Sequence, residues 1–120
     1  MPENQLRLLN RICDVNPNVV FVSVSGAPYD MAFEGRVRGI LQMYLGGEAA
    51  DEACAALVTG RVNPSGKLAE SWPYAVEDTP CHGFFATGSD DIEYRESIYV
   101  GYRYYDRLGV PVRFPFGFGL

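Results

Sequence analysis

The stretch that decides the fold spans residues 16–30 and has the sequence NPNVVFVSVSGAPYD. Its opening Asn-Pro-Asn ends any preceding helix, because proline lacks an N–H donor and pushes its predecessor out of the helical region. The run from Val19 to Val24 is β-branched and almost continuously apolar, which is typical of a strand buried on both faces of a parallel sheet. Ser25-Gly26-Ala27-Pro28 then predicts a turn. The stretch therefore indicates a central parallel strand.

Helical patterns lie on both sides of this strand. Upstream, residues 5–15 place apolar side chains three and four positions apart, which predicts an amphipathic helix. Downstream, residues 30–37 form a short helical segment. An alanine-rich stretch over residues 48–58 predicts a longer helix, with acidic residues at its positive N-terminal end.

Further strands are predicted from two short apolar runs. Residues 39–45 are bounded by glycines and favour a second strand, with a helix as the alternative for so short a run. Residues 67–72 alternate enough for a third strand, ended by Pro73. Residues 98–108 are rich in tyrosine and favour a short helix, with a strand as the alternative.

The order of these elements predicts an α/β fold, a three-layer α/β/α sandwich with a mainly parallel sheet. Three strands are few for such a sheet, so the sandwich is predicted to be incomplete. An apolar, aromatic C-terminus over residues 114–120 and a helix at the very start agree with the expectation that the chain is an excerpt. Between residues 73 and 97 no period persists, which predicts a loop of about 25 residues with a functional or interface role.

Composition excludes several classes of function. The 120 residues suffice for one domain, and a net charge of −5 argues against a nucleic-acid partner. No apolar run approaches the roughly 20 residues of a membrane span. Cys13, Cys54 and Cys81 lack ligand spacing, so neither a zinc site nor another metal site is predicted and the thiols are expected to be buried or half-buried. The free cysteines and the lack of a visible signal peptide favour the cytoplasm.

Candidate catalytic groups are few. His82 is the only histidine, and its neighbour Cys81 stands in the wrong relation for a nucleophile and its base. Phosphate-loop, dinucleotide and serine-elbow motifs are absent, so no cofactor is predicted. Four carboxylates late in the loop could line a glycosidase site, although solvated acidic loops are more common. They are Asp90, Asp91, Glu93 and Glu96.

Several motifs, in order along nearly the whole chain, resemble the C-terminal domain of glycoside hydrolase family 3. The matching segments are Pro2-Glu3-Asn4-Gln5, residues 16–30, Tyr44-Leu45-Gly46-Gly47-Glu48, residues 60–68 (GRVNPSGKL), Tyr94-Arg95-Glu96, residues 98–106 (IYVGYRYYD) and Phe114-Pro115-Phe116-Gly117. Phe118 departs from the pattern, since the family usually has histidine there. The resemblance assigns residues 1–120 to part of that α/β domain.

The resemblance implies a parent enzyme of the β-glucosidase type, in which a barrel domain accompanies the sandwich domain. Such enzymes are retaining and release sugars from non-reducing ends. Their nucleophile is an aspartate on the barrel, and their acid/base glutamate usually precedes the segment matching Pro2-Glu3-Asn4-Gln5. Both are expected to lie outside this chain, so no catalytic residue is assigned to it.

What remains for this chain is a scaffolding role. It is expected to hold the acid/base loop and to pack on the barrel, through the loop and the tyrosine-rich segment. The expected interface residues are Tyr94, Glu96, Tyr102 and Arg103. The carbohydrate substrate would bind in the parent's active site, and the isolated chain is expected to self-associate through exposed apolar surface. The alternative is a free-standing α/β interaction or ligand-binding module without glycosidase activity.

Overall fold

A computed structural model of the chain describes residues 1–85, 88 and 90–120. The chain divides into two compact units, Met1–Asn63 and Pro64–Leu120. Residues 86, 87 and 89 of the predicted loop lie outside the described residues. No helix within the described ranges is long and apolar enough to cross a membrane.

The first helix of unit 1, α1, spans Glu3–Val15 and confirms the prediction from apolar spacing. It begins two residues earlier than predicted, because Pro2 at its N-terminal cap has a φ of −58° that already suits a helix. It ends at Asn16, whose N–H donates to the Ile12 carbonyl over 2.9 Å. Leu9 is its buried residue.

Two parallel strands form the sheet of unit 1. The first, β1, spans Val20–Ser23 and the second, β2, spans Gly39–Gln42, with Val20 opposite Gly39. This pairing confirms the parallel prediction and excludes the helix alternative for β2. The predicted helical segment between them is reduced to one 3-10 turn at Glu34–Arg36.

The core of unit 1 lies beside the segment that connects β1 to β2. Met31 and Phe33 are almost fully buried, and the Phe33 ring meets the edge of Phe21 at a centroid distance of 4.8 Å. Edge-to-face pairs of this kind add about 0.5–1.5 kcal/mol to the burial of their area. The connection is therefore held by side-chain packing, since it has little regular hydrogen bonding of its own.

The prediction that the first strand is buried on both faces is wrong for the described chain. Val20 is 54% exposed, Val22 38% and Val24 70%. Among the described residues, β1 pairs with β2 alone, so its other edge has no neighbouring strand. An apolar run indicates that a strand can be buried on both faces. How much of its surface is buried depends on the segments that pack against it.

The second helix, α2, spans Ala50–Val58 and matches the alanine-rich stretch. Two glycines precede it for steric reasons. A Cβ on Gly46 would lie 2.7 Å from the Cβ of Ala50, and Gly47 has a φ of +69°. The Gly46-Gly47 pair therefore permits a close approach of the loop to α2.

Unit 2 contains an antiparallel strand pair and a short helix. Its strands are β3, Trp72–Pro73, and β4, Val112–Phe114, with Trp72 opposite Phe114. The helix α3 spans Tyr102–Leu108 and ends at Gly109, which has a φ of +67°. This confirms the helix over the strand alternative, and Trp72 and Tyr105 form the buried core.

The prediction of a third strand over residues 67–72 is largely wrong about its position. Of residues 67–72 only Trp72 is in a strand, and its pairing is antiparallel. The preceding residues bond instead to the C-terminal tail, since Leu68 donates to the Phe118 carbonyl and accepts from Gly117. A 3-10 turn at Val76–Asp78 follows β3.

The fold class is confirmed as α/β. The parallel pair β1–β2 with its flanking helices carries the predicted architecture, and the antiparallel pair in unit 2 is an addition that the periodicity did not reveal.

Candidate functional site

The predicted interface residues lie on one continuous segment of unit 2, residues 94–103. Tyr94 is 87% exposed and Tyr102 is 41% exposed, whereas Glu96 is half-buried and Arg103 is exposed. All four therefore lie where a partner could reach them. The structure does not gather them into an enclosed pocket.

Tyr102 is the most firmly placed of the four. It is the first residue of α3, directly after Gly101, whose φ of +59° lets the chain turn into the helix. Its ring stacks on Phe116 with centroids 4.9 Å apart and an interplanar angle of 28°. Because Phe116 is itself 51% exposed, the stacked pair presents apolar surface to the outside.

A turn before α3 positions Glu96 and Arg103. The Tyr99 N–H donates to the Glu96 carbonyl over 2.9 Å, and Arg103 Nη1 donates to the Ile98 carbonyl over 3.4 Å. Ser97, inside the turn, has a φ of +53°, which is costly for a residue other than glycine. The Glu96 backbone and the Arg103 side chain are thus both hydrogen-bonded to residues of the same turn.

Further apolar side chains of unit 2 are exposed in the segments that carry this stack. With Tyr102 and Phe116 they make eight side chains whose exposed fractions lie between 41% and 87%. We call this set the aromatic surface: Ile92, Tyr94, Ile98, Tyr99, Val100, Tyr102, Phe116 and Phe118. Exposed patches of this kind mark interaction sites more often than solvent-facing surface.

Cation–π contacts in the loop were not predicted from the sequence. The Arg95 guanidinium lies 4.2 Å from the centre of the Phe84 ring and also forms an ion pair with Glu93. Arg113 lies 4.8 Å from the centre of the Tyr74 ring. The two members of each pair lie more than ten positions apart in the sequence, so no local spacing rule connects them.

The candidate catalytic groups do not form a catalytic arrangement. Cys81 and His82 are both exposed in a turn, and the neighbour of the Cys81 thiol is Thr79 Oγ1 at 4.0 Å. Asp90, Asp91 and Glu93 are exposed as well. Within the described ranges no three potential metal ligands come together.

The expectation of buried or half-buried thiols holds for two cysteines. Cys13 and Cys54 are half-buried, but Cys81 is exposed, so the expectation is wrong there. Cys13 lines an open cleft of about 370 Å³ in unit 1, together with Arg36 and Arg38. Asp14 holds Arg36 at 2.6 Å and Arg38 donates to the Pro17 carbonyl, so neither arginine is prepared for a ligand.

Tyr105 provides a pH-dependent contribution to stability. Burial raises the pKa of its phenol, helped by the nearby negative charges of ionised Tyr104, Asp78 and Cys81. A raised pKa means that the folded state holds the proton more tightly than the unfolded chain. The stabilisation is therefore complete below the unfolded pKa of about 10 and is lost as the pH rises through the folded value.

We expect the Tyr105→Phe variant to lose less stability than the unmodified protein as the pH rises. Thermal midpoints measured at about pH 9 and about pH 11 should fall less in Tyr105→Phe than in the unmodified protein. Tyr94→Phe, at an 87% exposed position, serves as the control and should fall as the unmodified protein does. Parallel declines in all three proteins would contradict the assignment to Tyr105.

A comparison with protein-family models gives a match over the full chain. The model is the Glycosyl hydrolase family 3 C-terminal domain, and it covers residues 1–120. Among curated relatives, thermostable beta-glucosidase B of Acetivibrio thermocellus is 44% identical over 120 residues, all of this chain and 16% of the relative. A beta-glucosidase of Kluyveromyces marxianus is 38% identical over all of this chain and 14% of its own length.

Solved structures give the same result. The beta-glucosidase of Kluyveromyces marxianus, crystallised with glucose, superposes with a TM-score of 0.94 at 38% identity, over all of this chain and 14% of that protein. DesR, a beta-glucosidase of Streptomyces venezuelae crystallised with D-glucose, superposes with a TM-score of 0.92 at 41% identity, over all of this chain and 16% of that protein. The chain thus spans 14–16% of the length of these relatives.

Proposed function

The chain belongs to the glycosyl hydrolase family 3 C-terminal domain family, and we propose from this membership that it is a non-catalytic part of a β-glucosidase-like enzyme. The parent enzyme would be a retaining, exo-acting glycoside hydrolase that cleaves O-glycosidic bonds at non-reducing ends. One observation carries the proposal: β-glucosidases match this chain from end to end, yet it accounts for only 14–16% of their length.

The placement of the acidic side chains supports a non-catalytic role. A retaining glycosidase needs two carboxyl groups roughly 5 Å apart, flanking the bond in a site that excludes bulk water. Here Glu93 is bound to Arg95, and Asp90 and Asp91 are exposed. The catalytic carboxylates of the parent would therefore come from segments other than this one, and the carbohydrate would bind there.

The aromatic surface is the proposed contact with the barrel domain of the parent. Interface centres are rich in tyrosine and phenylalanine, and five of the eight side chains of the aromatic surface are of these two types. Tyr94 and Tyr102 would supply apolar area, and Glu96 and Arg103 would supply a hydrogen-bonding rim. By packing there, the chain would keep the acid/base loop at a fixed position relative to the substrate.

The proposal predicts a sharp difference between the isolated chain and the full-length protein. With a chromogenic β-glucoside, the full-length protein should release the chromophore, and the isolated chain should not exceed the rate in buffer. Turnover by the isolated chain would contradict the assignment of catalytic groups outside it. A full-length protein that cleaves no β-glucoside would overturn the proposed activity.

We also expect the isolated chain to self-associate. Val20, Val22 and Val24 expose apolar surface along β1, and Leu45 is 78% exposed nearby in sequence. An edge strand with apolar flanks is a template for pairing with another copy. Sedimentation should show an average mass that rises with concentration, and a monomer that persists at high concentration would contradict this expectation.

A further inference from the structure

We draw no further inference here: the strongest candidate, the exposed apolar stripe that Leu8, Ile12 and Val15 form along one side of α1, is a helix face for which nothing in the described part of the structure shows what covers it.

Discussion

Replacing Trp72 by alanine is expected to destabilise unit 2 by about 3–5 kcal/mol. Trp72 is 1% exposed and meets Phe114 of β4 edge to face, with centroids 6.3 Å apart. Its truncation removes the largest buried side chain of the unit and leaves a cavity between β3 and β4. The loss is measured as the shift of the unfolding midpoint in urea for the full-length protein.

A graded control separates packing from a general effect of substitution at this position. Trp72→Phe keeps an aromatic ring against Phe114 and should recover more than half of the lost stability. Equal unfolding midpoints for Trp72→Ala and Trp72→Phe would show that the ring contact contributes nothing to stability. An unchanged midpoint in Trp72→Ala would contradict its place in the core.

Replacing Tyr102 by alanine in the full-length protein is expected to weaken docking of this domain by about 2 kcal/mol or more, which is roughly a thirtyfold change in the docking equilibrium. The substitution removes one of the two stacked rings, the other being Phe116, from the aromatic surface. Because a loosely docked domain would misplace the acid/base loop, kcat/KM for a β-glucoside should fall together with the unfolding temperature.

Two variants on α3 show whether the effect belongs to the proposed contact. Tyr102→Phe keeps the stack and should retain most of the activity. Leu108→Ala removes an exposed apolar side chain from the same helix, more than about 100° around its axis from both Tyr102 and Arg103, and should have little effect. If Tyr102→Ala and Arg103→Ala both left kinetics and unfolding temperature unchanged, the docking surface would be wrong.

Local patterns were sufficient where an element is stabilised by its own residues and its immediate neighbours. Apolar spacing and the Asn16-Pro17 stop located α1, and the β-branched run located β1. Tyrosine content left residues 98–108 ambiguous between helix and strand. Gly101 and Gly109, with φ values of +59° and +67°, set the bounds of α3 at Tyr102–Leu108.

Contacts between distant segments were not accessible to the same reasoning. β4 is three residues long and begins right after Pro111, so no periodicity marks it, and only its pairing with Trp72 makes it a strand. The stack of Tyr102 on Phe116 and the contact of Arg95 with Phe84 likewise join residues more than ten positions apart. The sequence therefore names Tyr102 as a candidate contact residue but does not reveal its stack on Phe116.

The sequence by itself determined the α/β class, the position of α1, the parallel pairing of β1 with β2, and the family through an ordered set of short motifs. The class and the elements follow from hydrophobic period, backbone stops and local sterics, which act within a few residues, whereas the family was identified by the resemblance of the motifs. Only the tertiary structure decided the antiparallel pair of unit 2 and the stack of Tyr102 on Phe116. Each of these depends on the distance in space between residues that lie far apart in the sequence. A pattern along the sequence does not specify that distance.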